Sequence, residues 1–191
     1  MALFDRPVIE TERLVLRRWR MQDMSGFLRF AADPEVMMAA GARPVLSPEE
    51  ANTTLRRYTE DPYVFAVVLK ATGGVMGKIR YQKDYRRPYI NSVSVGYELA
   101  RPFWGNGYMT EALCGMVRYA FDVMQMDVIG ISHFTENHRS RRVIEKAGFI
   151  REGVIPYAFY RFDGRIFDEV TYSLTREEYL TGVPASMRRE M

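Results

Sequence analysis

Cysteine is almost missing from this chain. Its one example, Cys114, rules out an intramolecular disulfide. It sits in the apolar helical stretch ALCGMV, a setting that favours a buried, inert thiol over a nucleophile. Histidine is scarce too. His133 and His138 are the two present, and no ligand spacing for a metal and no Ser/His/Asp arrangement can be built around them. No apolar run reaches membrane-spanning length. The start, MALFDRPVIE, lacks the basic and apolar segments of a signal peptide, so a cytoplasmic protein without a membrane partner is expected. Nor is there a concentrated basic patch. The formal net charge is +3, and the arginines fall in short scattered clusters such as Arg17-Arg18, Arg56-Arg57, Arg86-Arg87 and Arg141-Arg142, which argues against a nucleic-acid partner. Internal repeats and low-complexity tracts are absent. No Gly-Lys-Ser or Gly-Lys-Thr occurs, which excludes a P-loop.

What remains is an ordinary globular composition, 47% hydrophobic and 27% charged over 191 residues, enough for one large domain with a sizeable core. We expect a single domain over 1–191, with its core at about 8–175 and a peripheral tail from about 180. Alternating residues predict a strand over Leu14–Trp19. Helical spacing of Met21, Met24, Phe27, Leu28 and Ala31 predicts a helix that Asp33-Pro34 stops. Ser47-Pro48-Glu49-Glu50 reads as a cap, a first-turn proline and a capping box for a helix to about Tyr58. Strands follow at Val64–Lys70 and Val75–Tyr81 around a Thr72-Gly73-Gly74 turn. A polar connection then leads to Ser92–Leu99, with Val93, Val95, Tyr97 and Leu99 on one face. A helix is expected at about Met109–Val123, a strand at Val128–His133, and a short helix at Ser140–Ala147 ending at Gly148. A last hairpin, Ile150–Tyr160 with Ile166–Ser173, turns through Asp163-Gly164. The expected class is α/β (α+β), with a mainly antiparallel sheet and a central β-α-β step.

The segment most informative about chemistry is VSVGYELARPFWGNGYMTEA, residues 93–112. A strand ends, glycines follow and a helix begins. The first helical turn carries unpaired N–H groups and positive dipole potential, and Gly105 and Gly107 leave the backbone open. Two readings stand: an anion cradle suited to phosphate, or a tight turn that needs glycine for geometry alone.

This segment resembles the pyrophosphate motif of the GNAT acetyltransferases, Gln/Arg-x-x-Gly-x-Gly/Ala, with Trp104 first, Gly107 fourth and Met109 sixth. Trp104 and Met109 depart from the pattern. The segment NHRSRRVIEKAGF, residues 137–149, is similar to the Asn-x-x-Ser-x-x-Val-Leu-Glu-Lys-x-Gly-Phe signature of the ribosomal-protein N-terminal acetyltransferase subgroup. The likeness extends from ETERLVLR at 10–17 to DEVTYSL at 168–174 and is weakest at about 33–62 and after Tyr179.

The resemblance implies a sheet with splayed central strands, acetyl-CoA as cosubstrate, an amine acceptor and no metal. A homodimer is expected from family habit. It implies coenzyme binding by Leu99, Ala100, Trp104, Gly105, Asn106, Gly107, Tyr108, Met109 and Thr110, with oxyanion donors near Leu99 and with Asn137 and Ser140 at the pantetheine arm. The tyrosine acid of many members falls at Ile144, so that group is missing. Ser140 matches the residue given this role in the subgroup, with Tyr157 and Tyr160 as alternatives and Glu98 as the candidate base. Each keeps a structural reading: Asn137 as a turn or cap residue, Ser140 as an N-cap, Glu98 as a surface or structural carboxylate. His133 is a further candidate for substrate contact, and Glu111 and Asp168 read as structural. The expected reaction is acetyl transfer to a primary amine, preferably a protein or peptide α-amine. A small-molecule acceptor and a coenzyme-binding protein without catalysis are the rivals.

Overall fold

The computed structural model describes residues 7–182. The amino-terminal six residues and the tail from 183, on which two of the expectations above fall, lie outside the described residues. The fold is mixed α/β, one open sheet of eight strands flanked by helices. The chain divides into two compact units. The first holds the described residues up to Arg80 together with Tyr97–Tyr108; the second holds Tyr81–Gly96 and the described residues from Met109 onward.

The first unit opens with β1 (Ile9–Glu10), paired antiparallel with β2 (Leu14–Arg18). A 3-10 turn at Met21–Asp23 leads into α1 (Met24–Ala31). The helix buries Phe27, Phe30 and Ala31, while Leu28 and Met21 face solvent, so the apolar stripe is narrower than the spacing suggested. Asp33-Pro34 does end α1, but it also starts a second helix, α2 (Pro34–Ala39), which the sequence reading lacks. The Asp33 carboxylate accepts from the Glu35 amide, and Pro34 fits the first turn, where no N–H is required. α3 (Pro48–Glu60) begins as expected, with the Ser47 hydroxyl accepting from the Glu50 amide. The return half of the box differs: the Glu50 carboxylate accepts from the Leu46 amide.

β3 (Val64–Leu69) pairs antiparallel with β2 and with β4 (Val75–Lys83), whose residues to Arg80 belong to this unit. The end of β5 (Ser92–Leu99) lies beside β4, and the Ala100 amide donates to the Met76 carbonyl at 2.9 Å. Trp19, Phe27, Phe30 and Tyr58 cluster with ring centroids about 6 Å apart and fill the core with Leu55, Val64 and Ala66. Edge-on aromatic pairs of this kind add roughly 0.5–1.5 kcal/mol each beyond their buried area.

In the second unit the sheet runs β5, β6 (Val128–Phe134), β8 (Ile166–Thr175), β7 (Ile150–Tyr160). β6 lies parallel to β5, but pairing covers only Ser92–Ser94 against Val128–Gly130. β6 then stays with β8 as far as Phe134, opposite Glu169. Ser94 and Val95 are both buried, so β5 is covered on both faces here and the single-face alternation does not hold.

α4 (Tyr108–Arg118) continues through a π turn at Tyr119–Val123. Beyond Tyr108 it buries Leu113, Met116 and Val117, and Cys114 lies among them with its thiol pushed up to about 11 by burial. α5 (His138–Lys146) precedes the β7–β8 hairpin, which turns at Gly164. α6 (Arg176–Gly182), also absent from the sequence reading, follows. Among the described residues no helix is long and apolar enough to cross a membrane, and no group of acidic, histidine and cysteine side chains could hold a metal.

Candidate functional site

The glycine turn of the first unit is built by short-range hydrogen bonds. After buried Leu99 and Ala100, a 3-10 turn at Arg101–Phe103 redirects the chain, with the Phe103 and Trp104 amides donating to the Ala100 and Arg101 carbonyls. The Trp104 indole N–H donates to the Leu99 carbonyl at 2.7 Å, which straps the turn from inside. Tryptophan at the motif's first position therefore has a job of its own. The Asn106 amide group donates to the Trp104 carbonyl at 3.0 Å. Gly105 and Gly107 adopt φ of 79° and 77°, the left-handed region where a β-carbon is penalised. These two glycines and Asn106 are exposed, and no described group accepts from their amides. Together the three amides form a row of uncommitted donors, the arrangement that receives phosphate oxygens.

A cation that sequence reasoning missed stands beside this turn. The Arg13 guanidinium donates to the Asn106 carbonyl at 3.1 Å and lies over the Tyr108 ring, 4.5 Å from its centre. A peptide plane fixes its C=O and the next N–H in opposite directions. By holding the Asn106 carbonyl, Arg13 therefore fixes the direction of the Gly107 amide. Ninety-three residues separate the partners, so no local pattern reveals the pair. The expected oxyanion donors near Leu99 are narrowed, because the Ala100 amide is committed to Met76.

Glu98 lies at the end of β5 in the same unit. It is no surface carboxylate: Lys78 on β4 reaches it at 2.9 Å, and both side chains are under a tenth exposed. The Lys78 ammonium is also 3.0 Å from the Tyr58 hydroxyl and lies over that ring. Burial works against the ammonium, but Glu98 and then Tyr58 outweigh it and hold the Lys78 pKa above the ordinary lysine value. Buried ion pairs are costly to desolvate, and removing one partner strands the other charge. Glu98 is thus an engaged carboxylate.

In the second unit, Asn137 is the N-cap of α5, with its side-chain oxygen accepting from the Ser140 amide at 3.0 Å. Ser140 is the third residue of the helix, so the N-cap reading of Ser140 is corrected in favour of Asn137. Ile144 is fully buried on the core face, a position from which a tyrosine hydroxyl would have to leave the core. Arg139, Arg141 and Arg142 are exposed, and Arg141 pairs with Glu145 at 2.8 Å. His138 is exposed at the helix start. His133 is buried, its ring bonded to the Phe134 carbonyl at 2.7 Å and the Tyr172 hydroxyl at 3.2 Å. Met109 is buried on α4 and Thr110 is half-buried.

Tyr157 sits in an irregular part of β7. Ile155 faces Glu169 and Phe159 faces Phe167, so Pro156, Tyr157 and Ala158 together oppose Asp168 alone. Tyr157 adopts φ of 53°, a conformation costing a bulky L-residue about 1–2 kcal/mol. The Asp168 carboxylate accepts from the Tyr157 amide at 2.9 Å, and the Asp168 carbonyl accepts from the Thr135 amide at 3.2 Å. Asp168 thereby joins the bulge to the loop leading to Asn137. The Tyr157 and Tyr160 rings are largely exposed.

Residues 13–150 match a family model described as an acetyltransferase (GNAT) domain. The chain is 29% identical over 203 aligned positions to the FsC-acetyl coenzyme A-N(2)-transacetylase of Aspergillus fumigatus, covering 99% of this chain and 85% of that protein. It is 30% identical over 98 residues to the [ribosomal protein uS5]-alanine N-acetyltransferase of Escherichia coli, covering 50% of this chain and 49% of the relative. Among solved structures, a GNAT-family acetyltransferase from Bacillus anthracis superposes with a TM-score of 0.81 at 24% identity, covering 90% of this chain and all of that one.

Proposed function

Because the chain belongs to the GNAT acetyltransferase family, with a domain match over residues 13–150, we propose that it moves the acetyl group of acetyl-CoA to an α-amine. The coenzyme's phosphates meet the amides of Gly105, Asn106 and Gly107 and those at the start of α4. The pantetheine arm runs along the backbone of β5 beyond Ser94, where pairing with β6 has ended. The amine nitrogen attacks the thioester carbonyl carbon, the C–N bond forms and the C–S bond breaks. The thiolate leaves and takes a proton from the Ser140 hydroxyl, since Ile144 offers none; the proton shed by the attacking nitrogen passes to solvent, and solvent restores the hydroxyl.

The observation that carries the choice of acceptor is the Lys78–Glu98 ion pair. A carboxylate already held in a buried ion pair is not free to reach the acceptor's proton, so the site suits an amine that loses its proton readily. An α-amine, with a reference pKa of about 7.7–8.0, is roughly a tenth neutral at pH 7; a lysine near 10.4 is less than a thousandth neutral. That difference corresponds to about 3 kcal/mol. The test compares a lysine-free peptide carrying a free terminus with an amino-blocked peptide containing lysine, from pH 6 to 9. Acetylation of the free terminus is expected; acetylation of the blocked lysine peptide alone overturns the reading.

A second reading, a small-molecule amine, is favoured by extent of likeness. The Aspergillus relative, whose name specifies an N(2) transacetylase, aligns with nearly all of this chain, whereas the ribosomal-protein relative aligns with half. Acetylation of ornithine but of neither peptide would select it.

A further inference from the structure

The bulge on β7 has no account in the stability of the hairpin. Regular pairing is available on both sides of it: Gly153 to Ile155 pair with Thr171 to Glu169, and Phe159 and Tyr160 with Phe167 and Ile166. Phe134 packs against Phe159 and Phe167 with ring centroids 5.1 and 4.8 Å apart, so the strand just after the bulge is held by aromatic contacts. Between these paired flanks the chain spends three residues where its partner strand spends one. It places a tyrosine in the left-handed region and leaves that side chain 79% exposed. A glycine or asparagine would take this backbone with less strain. Tyr160, 73% exposed, stands on the same strand.

Asp168 also gives the bulge a location. Through its carbonyl it holds Thr135, just past the last residue of β6, and through its carboxylate it holds Tyr157. The bulge is therefore tied to the carboxyl end of a parallel-paired strand, the end at which α/β sheets receive ligands. Bulges re-aim side chains next to such sites.

We propose that this bulge is an acceptor-recognition element, in which the exposed Tyr157 ring receives the acceptor as its ammonium form and Asp168 is the positioning residue that holds the ring out. The inference rests on the acetyltransferase reading above. An amine acceptor approaches largely protonated at neutral pH, and the face of a tyrosine attracts such a cation. Tyr157 so placed differs from a proton donor: it needs the ring and not the hydroxyl.

The experiment measures coenzyme A release with acetyl-CoA and a set of probes, lysine-free peptides of differing first residue and ornithine, alongside thermal unfolding. Tyr157→Phe, which retains the ring face, is expected to keep the acceptor KM within about twofold of wild type. Tyr157→Gly is expected to raise the KM of the productive acceptor at least fivefold, to leave that of acetyl-CoA unchanged, and to raise Tm through release of strain. Asp168→Ala should raise the same acceptor KM. Its combination with Tyr157→Gly should add little more, because the two act as one unit. A Tyr157→Gly protein with higher Tm and unchanged acceptor KM overturns the proposal, as does a Tyr157→Phe protein that loses kcat at unchanged KM. Wild-type protein inactive with every probe overturns the acetyltransferase reading and this inference with it; an active wild type with silent variants overturns this inference alone.

Discussion

The turn before α4 and the bulge in β7 both enter the left-handed region of backbone space, and they do so with opposite residues. At Gly105 and Gly107 the chain uses glycine, so the conformation is cheap and the bare amides lie exposed. At Tyr157 it uses a large aromatic residue, so the conformation is strained and the amide is given away to Asp168. Where the backbone is the tool, the side chain is dispensed with; where the side chain is the tool, strain is tolerated and a carboxylate quiets the amide. An unusual dihedral angle thus has two meanings, which residue identity separates.

The largest effect is expected from forcing the first turn to behave like the second. Gly107→Val puts a β-branched residue at φ of 77°, with its β-carbon 3.6 Å from the Arg13 guanidinium. Loss of one charge-assisted amide contact is worth about 1.5–3 kcal/mol, so calorimetry should show acetyl-CoA binding at least roughly tenfold weaker in a folded protein. Asn137→Ala extends the comparison to a turn whose side chain serves the helix. Loss of the N-cap should cost about 1 kcal/mol of stability in denaturant unfolding. If acetyl-CoA affinity falls as well, Asn137 also serves the coenzyme. Tyr157→Gly should act with the opposite sign, gaining up to about 1 kcal/mol, or roughly 2–4 °C in Tm for a chain of this size. A loss of Tm would show that the bulge is paid for by packing rather than borne as strain.

The smallest effect concerns pH and leaves both turns alone. Burial, partly offset by the Phe134 carbonyl, holds the His133 pKa below its ordinary value near 6.5. The unfolded chain therefore takes up this proton before the folded one does. The stability that His133 contributes is present above pH 6.5 and is lost as pH falls through the depressed folded value. His133→Gln should flatten the unfolding free energy over that acidic window, measured by denaturant melts at several pH values.

Local signals carried much of this architecture. The hairpin at Gly164 and the start of α3 follow from an Asp-Gly turn and a capping serine. Asp33-Pro34 shows where such signals are ambiguous, since aspartate caps a helix, proline fits its first turn, and the same pair ends the helix before it. β1 is two residues long and exists through its pairing with Val15 and Leu16. The glycine cradle was readable because glycine and a helix start sit in one short segment. The Arg13 tether and the Lys78–Glu98–Tyr58 cluster join distant positions, and sequence spacing holds no trace of them. Pro156, inside an expected strand, was a legible warning of the bulge, because proline breaks a hydrogen-bond ladder. Its consequence for Tyr157 depends on Asp168, which only tertiary pairing supplies.

Cys114, the lone cysteine, gives the experimenter a quiet background. With its thiol pushed up to about 11 and its side chain buried on α4, only about one molecule in ten thousand carries the thiolate at pH 7. Chromogenic disulfide reagents that count liberated coenzyme A should therefore count it without interference from the protein. Once substrate is removed, the same reagent becomes a clock. It can label Cys114 only when the interior around α4 opens, so the labelling rate reports how often the helix that begins at the glycine turn comes loose. Slowing of that rate by added acetyl-CoA would register binding with no acceptor present at all.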